Sequence, residues 1–192
     1  MIIFCFIALT HCFYVLGAYI LTKKLFRISV VNTESFYLIA LLGFQESMAK
    51  SIKFFTKNDK YYQLSNFAGG GFDLDGNYWK TMEHYFQAMK FSGTSQFDKI
   101  RDCGSPKQAK DLGQSRAIPI RSDWDSVKEE IMIIGLRLKF QNPELKQLLI
   151  NTGKKELIED SPYDKYWGIG ANGKGKNRLG VLLMQLRGEL KA

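Results

Sequence analysis

Residues 81–91 read TMEHYFQAMKF, and this stretch predicts a helix that carries both core side chains and chemical groups. Thr81 can cap a helix, which is expected to run to about Phe91. Apolar cover is expected from Met82, Tyr85, Phe86 and Met89. One face carries a carboxylate, an amide and an amine at positions i, i+4 and i+7: Glu83, Gln87 and Lys90.

The polar face of this helix has two interpretations. A solvated stripe is the usual one for charged residues at this spacing. If the face lines a pocket, Glu83 can act as a general base for water or stabilise an oxocarbenium ion, and a partly desolvated Lys90 can attack a sugar carbon. His84 projects about 100° away from Glu83, which favours a structural or capping role for this lone histidine.

Short extended segments precede this helix, and more helices follow it. IKFF at 52–55 and FDL at 72–74, with the Asp75–Gly76 turn before Tyr78 and Trp79, are predicted strands of one small sheet. Further helices are predicted from Ser105–Pro106 to Gly113, from Ser122 or Asp123, from Asn142–Pro143 to Gly153, and from about Asn177 through Leu186. The long third helix is expected to face the core with Trp124, Val127, Ile131, Ile134 and Leu138.

Length and charge bound the class of protein. The chain has 192 residues, which allows one domain of ordinary size with some chain left over. The net charge of +8 favours anionic partners, meaning phosphate-bearing small molecules, nucleic acid or an acidic membrane surface. Without residues 1–47, 24 basic and 17 acidic side chains remain, so residues 48–192 keep a charge of +7.

The residues beyond one ordinary domain lie at the N-terminus, at positions 1–47. Residues 1–22 contain no charged side chain and are long enough to cross a bilayer as a helix, and Lys23, Lys24 and Arg27 follow. That flank predicts a single-pass membrane anchor that leaves residues 48–192 in the cytoplasm. The alternative is that translation starts at Met48 and residues 1–47 are never made, and hydropathy leaves both open.

Cysteine and histidine are scarce in residues 48–192, which hold only Cys103 and His84. No disulfide and no Cys/His metal cluster can form among them, and this suits a reducing compartment.

A second unusual stretch, YWGIGANGKGKNRLG at 166–180, is glycine-rich and basic. It matches G-x-G-x-x-G, but the preceding SPYDKYW is not the apolar strand of a Rossmann unit. It also matches G-x-x-x-x-G-K, but Gly175 follows Lys174 where a P-loop needs serine or threonine. The loop leads into the N-terminus of an apolar helix, a geometry that binds anions, and a plain solvated loop is the alternative. Trp167 can stack there on a base or ribose face.

These stretches belong to an ordered series of blocks: LSNFAGGGFDLDGNYWKTMEHYFQAMKF, IRDCGSPKQAKDLG, RSDWDSVKEEIM, LRLKFQNPELKQLL and NTGKKELIEDSPYDKYWGIGANGKGKNRLGVLLMQLR. The series resembles the YbiA-like family of the NADAR (NAD- and ADP-ribose-associated) superfamily, from about Lys53 to the C-terminus. The resemblance implies a mostly α fold with a few short β-strands, an α+β single compact domain over residues 48–192. Residues 1–47 lie outside it, as a hydrophobic extension.

The resemblance also implies an activity. Described members are N-glycosidases that need no metal or cofactor and hydrolyse the C–N bond of the first two riboflavin-pathway intermediates, ribosylamino-pyrimidine phosphates. Relatives act on ADP-ribosyl groups attached to guanine in nucleic acid, so nucleic acid is expected only as an ADP-ribosylated substrate. Such bonds break through a cationic ribosyl centre that a carboxylate can stabilise, while basic groups and loop amides hold the phosphate.

Carried over residue by residue, the resemblance makes Glu83 the main catalytic carboxylate and Lys90 an alternative nucleophile through a Schiff base. The residues expected to bind the substrate are Asn66, Asp164, Trp167, Gly168 and Asn177, with Arg101, Arg121 and Lys174 as looser candidates for phosphate contacts.

Two rival functions belong to other classes. A non-catalytic module could read ADP-ribose or nucleotide ends through the same pocket, although Glu83 and Lys90 on one helix face argue against it. The second rival is a membrane-tethered protein that binds nucleic acid, and its only support is the net charge and residues 1–22. Aromatic residues do not alternate with basic ones, as they would in a surface that stacks on the bases of a single strand.

Overall fold

The described part of the chain is residues 50–191 of the computed structural model, so the interpretations of residues 1–47 lie outside it. Its strands are β1 (Ser51–Phe54), β2 (Phe72–Leu74), β3 (Asn77–Trp79) and β4 (Glu156–Glu159). Its α-helices are α1 (Met82–Ala88), α2 (Ser95–Asp102), α3 (Pro106–Gln114), α4 (Trp124–Lys139), α5 (Pro143–Asn151) and α6 (Arg178–Glu189). Short 3₁₀ turns lie at Tyr62–Leu64 and Met89–Phe91. The prediction of a mostly α fold with a few short strands is confirmed.

Side-chain caps begin several helices where the sequence predicts them. Thr81 accepts a hydrogen bond from the amide of His84, Ser105 from that of Gln108, and Asn142 from two amides of the first turn of α5. Each such oxygen satisfies an amide that has no partner within the helix. Gly153, at φ 68°, follows the end of α5 as predicted, because glycine adopts this left-handed conformation without strain.

Three features of the helices differ from the predictions. The helix expected to run to about Phe91 ends at Ala88 as an α-helix, and Met89–Phe91 form a 3₁₀ turn. Gly113 does not end α3 but lies within it and is buried, and the helix continues to Gln114. Its missing side chain leaves room for Gln87, since a Cβ at Gly113 would overlap the Gln87 amide oxygen. The helix α2, capped by Thr94, was not predicted.

The strands form two small sheets instead of the single one predicted. The strands β2 and β3 pair antiparallel around the expected turn, where Asp75 has φ 49° and Gly76 has φ 73°. The strand β1 pairs in parallel with β4, from Ser51 beside Glu156 to Phe54 beside Glu159. The partner of β1 therefore comes from a segment about a hundred residues further along the chain, beyond the reach of local turn signals.

The buried face of α4 is wider than predicted and rotated from it. Trp124 and Ile131 are buried as expected, but Val127, Ile134 and Leu138 are only half-buried. Buried positions missing from the prediction are Met132, Ile133, Gly135, Leu136 and Lys139. The reason is that α4 contacts both α1 and α6, and Gly135 lets Tyr85 of α1 approach closely.

One of these buried positions, Lys139, supports the segment that leads into the site. Its Nζ donates hydrogen bonds to the carbonyl oxygens of Gln63 and Ser65 at 2.8 and 2.9 Å. Burial lowers the pKa of Lys139 to about 7. The core of α4 thereby holds the backbone immediately before Asn66.

None of the helices in residues 50–191 combines the length and the apolar character that crossing a bilayer requires.

Candidate active site

The first turn of α1 carries Glu83 into the protein interior. Thr81 has extended backbone, and its Oγ1 accepts the amide hydrogen of His84 at 3.3 Å. Every residue of α1 is buried, and Glu83 and Gln87 are each only 5% exposed. Both side chains line a cavity of about 550 Å³, so the polar face of this helix is not a solvated stripe.

Glu83 and Gln87 of α1 and Lys90 of the following 3₁₀ turn form a chain of hydrogen bonds along the wall of this cavity. The side-chain nitrogen of Gln87 donates to Glu83 Oε1 at 2.8 Å, and Lys90 Nζ donates to Gln87 Oε1 at 2.6 Å. Lys90 also contacts the carbonyl oxygen of Gly113 at 3.4 Å. A single amide therefore positions both the carboxylate and the amine.

Burial shifts the pKa values of Glu83 and Lys90, the two charged residues at the ends of this chain of hydrogen bonds. Desolvation raises the pKa of Glu83, while the hydrogen bond from Gln87 and the charges of Lys110 and Lys90 oppose that rise. Desolvation lowers the pKa of Lys90, against the opposing charge of Glu83. The Nζ of Lys90 also lies 5.6 Å from the ring centre of Trp124, so its surroundings are largely aromatic.

A second buried carboxylate, Glu159, lines the same cavity and was not singled out in the sequence analysis. It is the last residue of β4 and is 7% exposed. Burial, with the neighbouring charges of Asp164 and Glu83, raises the pKa of Glu159 to about 8. The sequence ELIE at 156–159 does not alternate between polar and apolar residues, so periodicity gives no signal for this strand or its terminal carboxylate.

Asp164 and Trp167 form another wall of the cavity. Asp164 Oδ1 accepts the amide hydrogens of Tyr166 and Trp167, each at 2.8 Å, which shapes the turn between them. The ring of Trp167 meets that of Phe86 edge to face, with centroids 5.2 Å apart. Trp167 is thus held in place by an aromatic neighbour on α1.

The start of the glycine-rich loop is tied to α4 through Glu129. Arg178 donates two hydrogen bonds of 2.7 Å to the Glu129 carboxylate, and the hydroxyl of Tyr166 donates a third at 2.6 Å. The Arg178 guanidinium lowers the pKa of Glu129 to about 2. This ion pair fixes the residues on both sides of the loop and holds Trp167 against the cavity.

Asn66, which also lines the cavity, is bonded to Glu83 through the backbone. Its backbone oxygen accepts the amide hydrogen of Glu83 at 3.0 Å, and its side-chain nitrogen lies 3.6 Å from the sulfur of Met132. Its side-chain oxygen is buried and has no hydrogen-bond partner among the described residues. A buried polar atom without a partner is uncommon in folded proteins, which makes Asn66 a notable member of the cavity lining.

The structure brings together five of the predicted site residues, which all line the cavity: Asn66, Glu83, Lys90, Asp164 and Trp167. It does not place Gly168 or Asn177 there. The side chain of Asn177 accepts from the amide of Glu159 and donates to the carbonyl oxygen of Leu157. The carbonyl oxygen of Gly168 accepts the amide hydrogen of Asn177, so Asn177 links this part of the loop to β4.

The arginines and the lysine predicted for phosphate contacts also lie away from the cavity lining. Arg121 pairs with Asp123 and Arg101 with Asp98 and Asp102, while Lys174 is exposed. The basic groups that do line the cavity, besides Lys90, are Lys57, Lys107 and Lys110. Two of these come from α3, and their approach to Glu83 depends on how that helix packs on α1.

The structural role predicted for His84 agrees with its surroundings. Its Nδ1 lies 2.8 Å from Thr81 Oγ1 and its Nε2 lies 3.2 Å from the carbonyl oxygen of Cys103. Burial lowers the pKa of His84. Its ring therefore connects the start of α1 to the end of α2 and is not part of the cavity lining.

The arrangement suits a reaction that develops positive charge. A cavity that also contains lysines able to hold a phosphate is lined by four carboxylates, those of Glu83, Asp111, Glu159 and Asp164. No group of three or more His, Cys, Asp or Glu residues in positions 50–191 is placed to hold a metal ion. Acid, base and electrostatic chemistry on a phosphorylated sugar is what these side chains can perform.

Comparisons with known proteins place the chain beside one family. The model of the NADAR domain matches residues 53–191. A protein named N-glycosidase YbiA from Shigella flexneri serotype 5b (strain 8401) is 49% identical over 140 residues, covering 72% of this chain and 88% of that protein. The riboflavin biosynthesis protein PYRR, chloroplastic, of Zea mays is 37% identical over 155 residues, which cover 72% of this chain and 25% of the maize protein. The NMR structure of the E. coli protein YbiA superposes with a TM-score of 0.69 at 46% identity, covering 75% of this chain and 87% of that one.

Proposed function

The chain belongs to the NADAR family and is an N-glycosidase, and on that premise we propose that it hydrolyses the bond between ribose and nitrogen in ribosylamino-pyrimidine 5-phosphates. These compounds are the first two intermediates of riboflavin biosynthesis, and their removal would prevent damage by reactive metabolites. The name of the maize relative, a riboflavin biosynthesis protein, supports this substrate class.

The observation that carries the proposal is the buried chain from Glu83 through Gln87 to Lys90 on the wall of one cavity. Cleavage of a ribosyl C–N bond develops positive charge at the anomeric carbon. A carboxylate in a desolvated site stabilises that charge more strongly than one in water. Glu83, held by the amide of Gln87, is in position to do this and to accept a proton from the attacking water.

The cavity also has groups that match the two ends of such a substrate. We propose that Lys57, Lys107 and Lys110 hold the 5-phosphate, because they are the cavity lysines other than Lys90. Lys107 is already paired with Asp111 at 2.7 Å, and a phosphate would compete for it. Trp167 offers an aromatic surface to the pyrimidine or the ribose.

Two routes to the product use these residues differently. In the first, Glu83 activates a water molecule that attacks the anomeric carbon. In the second, Lys90 attacks that carbon and forms a Schiff base with the opened sugar, which water then hydrolyses. We propose the first route, because Glu83 is a buried carboxylate held in place by Gln87, while Lys90 is already engaged by Gln87 and Gly113.

We propose further that residues 48–192 are the working unit and that residues 1–47 are an extension. The family model begins at residue 53 and supports this boundary. The mass of the natural product tests it, because a chain that begins at Met48 or Ala49 has neither an extension nor an anchor.

The proposed function is tested by incubating the protein with a ribosylamino-pyrimidine 5-phosphate and measuring the release of ribose 5-phosphate. Release that saturates with substrate and exceeds the spontaneous rate is the expected result. No release, together with hydrolysis of ADP-ribosylated guanine, would transfer the assignment to nucleic-acid substrates. Binding of either compound without cleavage would instead indicate a non-catalytic reader.

A further inference from the structure

We propose that Glu159 is the general acid of this site and gives a proton to the nitrogen that leaves the sugar. The inference rests on the proposed function, because it names a second role in the same reaction. It concerns a residue to which neither the sequence analysis nor the family resemblance assigned a part.

The position of Glu159 is held by the fold from two sides. Its strand, β4, pairs in parallel with β1, which places Glu159 beside Phe54. Its amide donates to the side chain of Asn177 at 3.0 Å. With the backbone held in this way, the side chain at the end of the strand extends to the cavity, of which it forms part of the lining.

The side chain itself lacks partners at the cavity. Oε2 of Glu159 is fully buried and has no hydrogen-bond partner among residues 50–191. A buried polar atom without a partner is uncommon and costs free energy, on the order of 1–3 kcal/mol. Because Glu159 lines the cavity, a turn of its carboxyl group would bring this oxygen to a substrate atom, and the hydrogen bond formed there would remove the cost.

Burial first, and then the charges around it, favour the protonated form of Glu159. Asp164, Glu83 and Asp160 are negative neighbours, Lys110 opposes them, and Tyr62 and Lys139 are the titratable groups on other elements that it influences. Glu83 differs, because it accepts a hydrogen bond from Gln87 and lies near both Lys90 and Lys110. The ionised form of Glu83 thus has a hydrogen-bond donor and two lysines beside it, whereas that of Glu159 has Lys110 alone, so we assign the proton-donating role to Glu159 and the proton-accepting role to Glu83.

Glu159, Glu83 and one water molecule supply and accept all the protons that cleavage of the C–N bond requires. As the C–N bond breaks, its electron pair goes to nitrogen, which takes the proton of Glu159 and leaves as a neutral amine. Water adds to the anomeric carbon of the resulting cation and gives a proton to the Glu83 carboxylate. The products are ribose 5-phosphate and the aminopyrimidine, and proton exchange with solvent restores Glu83 and Glu159.

A matched pair of substrates separates this role from a structural one. A ribosylamino-pyrimidine 5-phosphate needs a proton on its leaving amine, whereas 4-nitrophenyl riboside 5-phosphate loses a stable phenolate that does not. We expect Glu159→Gln to lower kcat at least about 100-fold on the amine substrate and less than about fivefold on the nitrophenyl one. The pH profile of the wild-type protein with the amine substrate should fall above about pH 8, and this limb should be absent from the variant.

Glu156→Gln is the control, because Glu156 is an exposed carboxylate of the same strand and is not part of the cavity lining. It should keep near-normal kcat on both substrates. Equal loss by Glu159→Gln on both substrates would overturn the acid role in favour of a structural one, and unchanged activity on the amine substrate would overturn it outright. Failure of the wild-type protein to cleave the amine substrate, with the nitrophenyl compound cleaved, would overturn the proposed function itself.

Discussion

Gln87 donates its side-chain amide hydrogen to Glu83 across 2.8 Å, one helical turn away on α1. The oxygen of the same amide accepts from Lys90, so both ends of the Gln87 side chain are used. Because the amide cannot rotate without losing both bonds, it fixes the distance between carboxylate and amine. Gly113 of α3 completes the arrangement by leaving room for this side chain.

Gly113→Ala tests this positioning role. An added Cβ would overlap the Gln87 amide oxygen and lie 2.8 Å from Gln87 Cβ, so Gln87 must move and both of its hydrogen bonds must change. We expect kcat to fall about 10- to 100-fold with a smaller change in KM, measured by steady-state kinetics. Gly188→Ala is the control, since nothing lies within 4 Å of its added Cβ. Equal kcat in the two variants would contradict the role.

Glu83→Gln should abolish turnover while leaving the fold intact. The variant keeps the size of the side chain but cannot accept a proton or stabilise positive charge, so kcat should drop at least about 100-fold. Release of ribose 5-phosphate measures the loss, and thermal unfolding checks the fold. Glu130→Gln removes an exposed carboxylate of α4 and should leave the rate unchanged. Near-normal activity of Glu83→Gln would exclude Glu83 as the catalytic carboxylate.

Trapping with borohydride distinguishes the two routes. A Schiff base between Lys90 and the opened sugar would be reduced to a stable adduct, which mass spectrometry locates. On the water route we expect no adduct. We also expect Lys90→Met to remain active. Because the charge of Lys90 lowers the pKa of Glu83, its removal should shift the acidic limb of the pH–rate profile to higher pH. An adduct on Lys90 together with complete loss of activity in Lys90→Met would establish the covalent route.

Asn177→Ala should destabilise the domain more than it changes substrate contacts. The substitution leaves the amide of Glu159 and the carbonyl oxygen of Leu157 buried without their partner, which costs about 2–5 kcal/mol in total. Denaturant unfolding measures this loss. Asn172→Ala is the matched control, because Asn172 bonds an exposed amide in the loop and should change stability by less than about 1 kcal/mol. Equal values would contradict a supporting role for Asn177.

Glu159→Gln should also change how stability depends on pH. The pKa of Glu159 is raised from 4.5 to about 8 in the folded protein, so between these values the folded state binds the proton that the unfolded state releases. Stability from this group is therefore lost as pH rises through that window, by roughly 1.4 kcal/mol per pH unit. The variant should show a correspondingly smaller decrease between pH 5 and 8 in denaturant unfolding. Parallel curves would indicate that Glu159 titrates normally.

Local signals predicted the helices well and the sheets poorly. Thr81, Ser105 and Asn142 cap helices where the sequence places them, because a cap depends on amides within three residues of it. The pairing of β1 with β4 was missed, because the two strands are about a hundred residues apart and each is only four residues long. Since Glu159 ends β4, the second carboxylate of the cavity was missed with it.

The residues of TMEHYFQAMKF already specify a capped helix with Glu83, Gln87 and Lys90 on one face, because helical spacing is a property of the chain itself. Whether that face meets water or a cavity depends on what packs against it. The packing of α3 supplies Gly113, Lys107 and Lys110, and the parallel strand supplies Glu159. The same packing turns Asn177 from an expected ligand contact into a support for β4, since burial and long-range hydrogen bonds arise only when distant segments meet.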